Sequence, residues 1–373
     1  RRGDRTTRGP HRATQSVGDR LMQFAFTEEQ AMIADTARAF FAENATSERT
    51  RRAMEGDGID RELWRAFCTD LGLAGIAVPE AHGGSGLGLV EFATIAEAAG
   101  AQVAALPLLG LAMPARAIAA GGSAAQKQEW LPHIASGEVI AAAGGSHDLR
   151  ATGDRLTGSV DFVPHGGVAD MFVFASDAGA WIVRADAPGL AIERAVTMDQ
   201  TRPLARVTLA DTPADPLPEW QAGIAAARAG GWICVAAEAL GGAQATLDRT
   251  VAYSKEREQF SRPIGSFQAY KHRLADMMVE IEQARSAVYW AACAVDEDSP
   301  EAQLGLHSAK SFASDTYFRC AGDMIQLHGG IGFTWEHDAH LFFKRARAIR
   351  SMLGDSDWHR EQVARIIGLG DAA

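Results

Sequence analysis

Cysteine is scarce in this chain and never paired: Cys68, Cys234, Cys293 and Cys320 stand far apart among 373 residues. That spacing excludes a zinc site built from paired thiolates and suits a reducing, cytoplasmic compartment. No run approaches the about 18 apolar residues of a membrane span, so no membrane insertion is expected. Excess positive charge is missing too. Lys and Arg total 36 against 47 Asp and Glu, a net charge of −11, which argues against nucleic-acid binding by overall charge. Strands and helices do not alternate in βαβ units, so a doubly wound nucleotide fold is not expected. The Gly83–Gly88 run matches neither Gly-x-Gly-x-x-Gly nor a phosphate loop, because no Lys-Ser/Thr follows it. Trp335-Glu336-His337-Asp338-Ala339-His340 lacks His-Glu-x-x-His spacing and a third ligand, so no metal is expected there.

What remains is a chain with 47% hydrophobic and 22% charged residues, long enough for two or three folded domains. Residues 1–21 carry six Arg against Asp4 and Asp19, which leaves −15 for the remainder. This head has no apolar run and reads as a disordered extension.

Three segments follow. Residues 22–137 read as helical, opening on a capping box formed by Thr27 and Gln30. Helices are also predicted at about Leu89–Ala99 and Ser123–Ser136. Residues 138–216 carry six short apolar runs between turns, from Val139–Ala143 to Ala205–Leu209, the pattern of a β-sandwich or barrel. Residues 217–373 return to long helices, three extended and one terminal, which predicts a four-helix bundle.

Two motifs in the last segment are specific. Arg257-Glu258-Gln259-Phe260-Ser261-Arg262-Pro263-Ile264-Gly265-Ser266-Phe267-Gln268-Ala269 resembles the central signature of the acyl-CoA dehydrogenase superfamily. Gln326-Leu327-His328-Gly329-Gly330-Ile331-Gly332-Phe333-Thr334 resembles its second signature. Leu71–Gly84 resembles an N-terminal connector of the family, and the resemblance spans about residues 23–370. It implies a mainly α chain with a central β domain. It also implies bound FAD, an acyl-CoA substrate, an electron-transfer flavoprotein or similar acceptor, and a homo-oligomer or a hetero-oligomer with a paralogue. The Trp335–His340 segment resembles one seen in bacterial members of lipid and sterol breakdown, including members that work as mixed oligomers.

The resemblance implies FAD contacts at Arg257, Gln259, Phe260, Phe267, Gln268, Gln326, Gly329 and Gly330. A planar guanidinium suits phosphate oxygens, and glycine lets backbone amides approach them. Relatives place this Arg and its neighbours around the FAD of an adjoining subunit. In the β segment the family's flavin contacts are replaced. Pro164 and His165 fall where relatives have Thr and Asn, and Pro164 offers neither N–H nor hydroxyl. His165 or backbone groups are the expected substitutes.

The family reaction is α,β-dehydrogenation of an acyl-CoA thioester: a carboxylate takes a Cα proton while hydride passes from Cβ to flavin N5. The resemblance puts that carboxylate at position 353 or, in a minority, at position 231. Here these are Leu353 and Gly231. Glu238, two turns beyond Gly231 in an apolar run, becomes the first candidate base, with a structural ion pair to a bundle Arg as the competing reading. Asp355 is the second, with helix capping as its competing role. Three functions stay open: a dehydrogenase with a relocated base, a partner subunit without its own base, and a flavin oxygenase or oxidase on the same fold. The basic run Lys344–Arg350 is expected to be a solvated or interface face, with a CoA phosphate or subunit contact as the alternative.

Overall fold

The computed structural model describes residues 26–369, so the expected extension over residues 1–21 lies outside it. Helix α1 (Glu28–Asn44) starts at the capping box: Thr27 Oγ1 accepts from the Gln30 amide, and Gln30 Oε1 accepts from the Thr27 amide. It is followed by α2 (Ser47–Glu55), α3 (Arg61–Arg65), α4 (Leu89–Ala101), α5 (Leu108–Gly110), α6 (Arg116–Gly121) and α7 (Ala124–Ala135). Pro114 lies in the wide turn between α5 and α6, where its missing N–H cannot extend a regular ladder.

The middle segment forms two four-stranded sheets. One has the order β1 (Ala141–Gly145), β4 (Met171–Ser176), β5 (Gly179–Arg184), β8 (Asp215–Pro216). The other has the order β2 (Arg150–Thr152), β3 (Arg155–Pro164), β7 (Leu204–Pro213), β6 (Leu190–Arg194). Leu156, Val160 and Val163 of β3 and Val207 and Leu209 of β7 share a core with Phe172 and Phe174 of β4. Alternation of buried and exposed residues along β7 is what two packed sheets require.

The last segment contains α8 (Trp220–Glu256), the hairpin β9 (Glu258–Gln259) and β10 (Arg262–Pro263), α9 (Gln268–Asp296), α10 (Ala302–His328), α11 (Ala339–Ser351) and α12 (Ser356–Ile366). The expected terminal helix is therefore two helices. Leu353 and Gly354 both have positive φ, +56° and +96°, which no α-helix accommodates. Helix α8 is, by length and composition, long and apolar enough to cross a bilayer, but 78% of its apolar window is buried inside this fold.

Helix α8 is the axis of the core, and α4 crosses it closely because glycines lie at the crossing. A Cβ on Gly100 would overlap the Glu238 backbone, and one on Gly241 would overlap the Glu97 carbonyl oxygen. Gly241→Ala should therefore push the helices apart and cost about 1–3 kcal/mol as overpacking does. Denaturant unfolding of the variant against wild type measures this.

Candidate active site

The apolar run that carries Glu238 is the buried middle of α8, and Glu238 itself is 3% exposed. Its Oε2 accepts from Arg202, on the β6–β7 connection, and its Oε1 accepts from Arg345 Nη1 of α11 at 2.9 Å. Arg345 Nε also donates to Asp199 Oδ2 at 3.0 Å, and its Nη2 donates to Thr201 Oγ1 at 2.7 Å. Burial opposes the Arg345 charge, but Asp199 and Glu238 outweigh it and raise its pKa. Two cations and two anions thus close on one another away from water.

This corrects the first candidate base. A general base needs an oxygen free to meet a substrate proton, and both oxygens of Glu238 are engaged by guanidinium groups. The competing reading, an ion pair, describes the geometry. Asp355 is corrected too: it is exposed and caps α12, its Oδ1 accepting from the Trp358 amide at 2.8 Å. The basic run is also corrected in part. Arg347 is exposed, but Arg345 is buried, since it falls one turn from Leu341 and one from Ile349 on the apolar face of α11.

Positions 231 and 353 come together. A Cβ built on Gly231 would lie 2.9 Å from Leu353 Cδ1 and 2.9 Å from Met113 Sδ. The next residue, Trp232, donates from Nε1 to the Leu353 carbonyl at 2.9 Å. The two expected base positions therefore converge on one contact made of leucine, methionine and glycine.

The expected cofactor residues fall into two groups. Arg257, Gln259, Phe260 and Gln268 are exposed, and Phe260 sits at the hairpin tip with φ +53°. Phe267 lies beneath Arg262, whose guanidinium is 4.0 Å from the ring centre. Gln326, Gly329 and Gly330 are exposed beside them. Tyr270 OH donates to the Leu327 carbonyl at 3.2 Å, and Tyr253 stacks on His328 at 4.4 Å, which ties the two motifs together. Gly329 has φ +65°, and a Cβ on Gly329 or Gly330 would meet nothing, so this backbone is open to an approaching anion. The phosphate half of FAD fits this cradle.

Pro164 and His165 form the second group, at the end of β3. His165 is 2% exposed, adopts φ +56°, and neither ring nitrogen has a hydrogen-bond partner. Burial, then Arg202 and Arg345, hold it well below the usual histidine range, so it is neutral.

The chain matches "Acyl-CoA dehydrogenase, N-terminal domain" over residues 27–138 and "Acyl-CoA dehydrogenase, C-terminal domain" over residues 222–368. It is 38% identical over 330 residues to acyl-CoA dehydrogenase IpdE2 of Mycobacterium tuberculosis, covering 87% of this chain and 93% of the relative. Identity to the IpdE2 of Mycolicibacterium smegmatis is 34% over 347 residues, with 91% and 98% covered. Among solved structures, a chain of the ChsE4-ChsE5 complex from M. tuberculosis superposes with TM-score 0.87 at 29% identity, covering 94% of this chain and all of that one. A chain of the Tcur3481-Tcur3483 steroid ACAD gives TM-score 0.84 at 32% identity, covering 93% and 99%. The chain belongs to the acyl-CoA dehydrogenase family, and it is an oxidoreductase of that type.

Two outcomes follow from the charges. Glu238→Gln removes the carboxylate partner of buried Arg202 and leaves Arg345 with Asp199 alone, and it should lower stability by about 3–5 kcal/mol, the usual cost of breaking a buried pair. Chemical unfolding reads this directly, and Arg345→Met should show a loss of similar size. The second outcome concerns pH. Burial and then Lys310 push His359 down to about 3, so it stays neutral in the folded chain. Unfolded histidine titrates near about 6.5, so its stabilising contribution is complete above that pH and is lost as pH falls toward the folded value. The melting temperature should decline from about pH 6.5 to 5, and His359→Gln should flatten that decline.

Proposed function

We propose that this chain serves acyl-CoA dehydrogenation as one subunit of a shared FAD site, with the proton-abstracting carboxylate supplied by a partner chain. The observation that carries this is the meeting of Gly231, Leu353 and Met113 where a base is expected. Glu238 cannot replace the missing group, because Arg202 and Arg345 occupy it.

FAD, when bound, supplies the hydride acceptor. This chain's contribution is binding. Arg257 offers two parallel donors to phosphate oxygens, and the open backbone at Gly329 and Gly330 allows close approach. Gln259, Phe260 and Gln326 stand exposed around the same cradle. An outward-facing cradle serves a cofactor held between chains. The β-domain side is poorer in donors, since Pro164 has no N–H. The substrate class is an acyl-CoA thioester, and the likeness to a steroid ACAD and to a two-component complex supports a bulky acyl group and a hetero-oligomer. The acceptor fits an electron-transfer flavoprotein or a similar carrier, and the unpaired cysteines fit a cytoplasmic setting.

The test compares the chain alone with the chain co-expressed with a neighbouring paralogue. Each preparation is mixed without oxygen with short, medium and bulky acyl-CoAs, and flavin bleaching is recorded. Bleaching is expected only in the mixed preparation, and Arg257→Lys should reduce its FAD content. Full bleaching by the chain alone would overturn the proposal.

A further inference from the structure

The turn between α11 and α12 is held from three sides. Lys310 of α10 is fully buried, and its Nζ donates to the carbonyls of Ile349 at 3.1 Å and Gly354 at 2.9 Å. Trp232 Nε1 of α8 donates to the Leu353 carbonyl at 2.9 Å, and His359 Nε2 of α12 donates to the same oxygen at 3.1 Å. With its Nε2 carrying the proton, neutral His359 accepts at Nδ1 from His307 Nδ1 of α10 at 2.8 Å. Trp232 also packs on both imidazoles, with ring centres 4.7 Å and 5.3 Å away.

An ordinary helix C-terminus ends on glycine or asparagine in left-handed backbone. Here a γ-branched residue, Leu353, holds φ +56° immediately before Gly354. Such a conformation persists only where surrounding contacts over-determine it, and it concentrates at functional sites. The donors from α8, α10 and α12 all act on main-chain carbonyls, so they fix the backbone without regard to the side chain at 353. That side chain is left pointing at Gly231 and Met113.

We propose that Lys310, Trp232 and His359 are positioning residues that fix the 352–354 turn and deliver side chain 353 to the Gly231–Met113 contact, whatever that side chain is. The inference deepens the proposed function, since it rests on that contact being a wall of the reaction site. The chain then lacks only the carboxylate and not the frame that would aim it.

The test introduces a carboxylate as a reporter. Leu353→Glu is made in the full chain, and the new carboxyl is titrated by infrared difference against wild type. The charged and titratable groups around the turn are Lys310, His307 and Asp315 of α10, His359 of α12 with its cap Asp355, and Arg202, which reaches Met352 from the β6–β7 connection. A carboxyl delivered among leucine-sized apolar neighbours should titrate at least about one unit above the ordinary glutamate value of about 4.3. Adding Lys310→Met separates charge from positioning. Loss of a nearby cation alone would raise the midpoint further, whereas release of the turn into water would lower it toward about 4.3. The lowering is expected. Trp232→Phe in the same background removes one donor to the Leu353 carbonyl and should lower the midpoint as well, which decides the matter if the lysine variant does not fold. An ordinary midpoint for Leu353→Glu, or an unchanged or raised one after the second substitution, would overturn the inference. Bleaching by the wild-type chain alone would defeat the proposed function and leave this titration standing.

Discussion

Glu238 and Asp199 against Arg202 and Arg345 make a closed, neutral set of charges with almost no access to water. Each charge is costly to bury, and a set of this kind contributes little net stability compared with well-packed apolar side chains. Its consequence is geometric. Glu238 comes from the core helix α8, Arg345 from α11, and Asp199 and Arg202 from the β6–β7 connection, so the three elements have one mutual arrangement that leaves no charge alone. A small displacement of the β domain would leave a guanidinium unpaired, and that penalty is several times the energy of an ordinary packing shift. The same set brings His165 and Tyr317 beside it as neutral buried groups, His165 held far below its ordinary range and Tyr317 far above.

Once α8 and α11 are fixed in this way, the contact between positions 231 and 353 follows. Gly231 lies two turns before Glu238, on nearly the same face of α8, and Leu353 follows Arg345 across the end of α11. The ion pair holds α11 against α8, and the turn that follows α11 places Leu353 against Gly231. A Cβ at position 231 would press on the ends of the Leu353 and Met113 side chains, which would have to shift to admit it. Lys310 then closes the end of α11 by taking its terminal carbonyls, and burial, partly offset by Asp315 and Asp355, pulls its pKa down to about 8. A cation near a helix C-terminus complements the exposed carbonyl dipoles, so the lysine belongs to the turn electrostatically as well as by hydrogen bonding.

Much of the fold was legible in the sequence because it is written in local patterns. The capping box at Thr27 needs only four residues, and the alternation in β7 needs only ten. The two exposed motifs around Arg257 and Gln326 were legible for a different reason: they are contiguous, so their chemistry does not depend on folding to be recognised. The interior of the site was not legible, because its residues are paired over long separations. Nothing near Glu238 in the chain announces Arg202, and nothing near Arg345 announces Asp199. Arg345 sits in a run of basic residues that reads as a surface, and only its register with Leu341 and Ile349 places it on the buried side. Leu353 was read as an empty position, but the donors that hold it come from residues 232, 310 and 359. The split of the terminal helix was missed because a positive φ at leucine has no sequence signal.

The polar groups of the chain divide in a way that bears on how its site is completed. Around Glu238 the carboxylates and guanidinium groups satisfy one another, and burial with the two nearby guanidinium groups disfavours protonation of His165. Outside, Arg257, Gln259, Gln326 and the Gly329–Gly330 backbone face solvent with binding capacity to spare. A self-contained enzyme would need the opposite distribution, with spare proton-accepting capacity in the sheltered site where desolvation makes a base effective. An exposed phosphate cradle is of limited use to its own chain, since water competes for every donor. It becomes effective when a second surface covers it and lowers the local dielectric. The inward closure and the outward openness together support the proposed site shared at an interface.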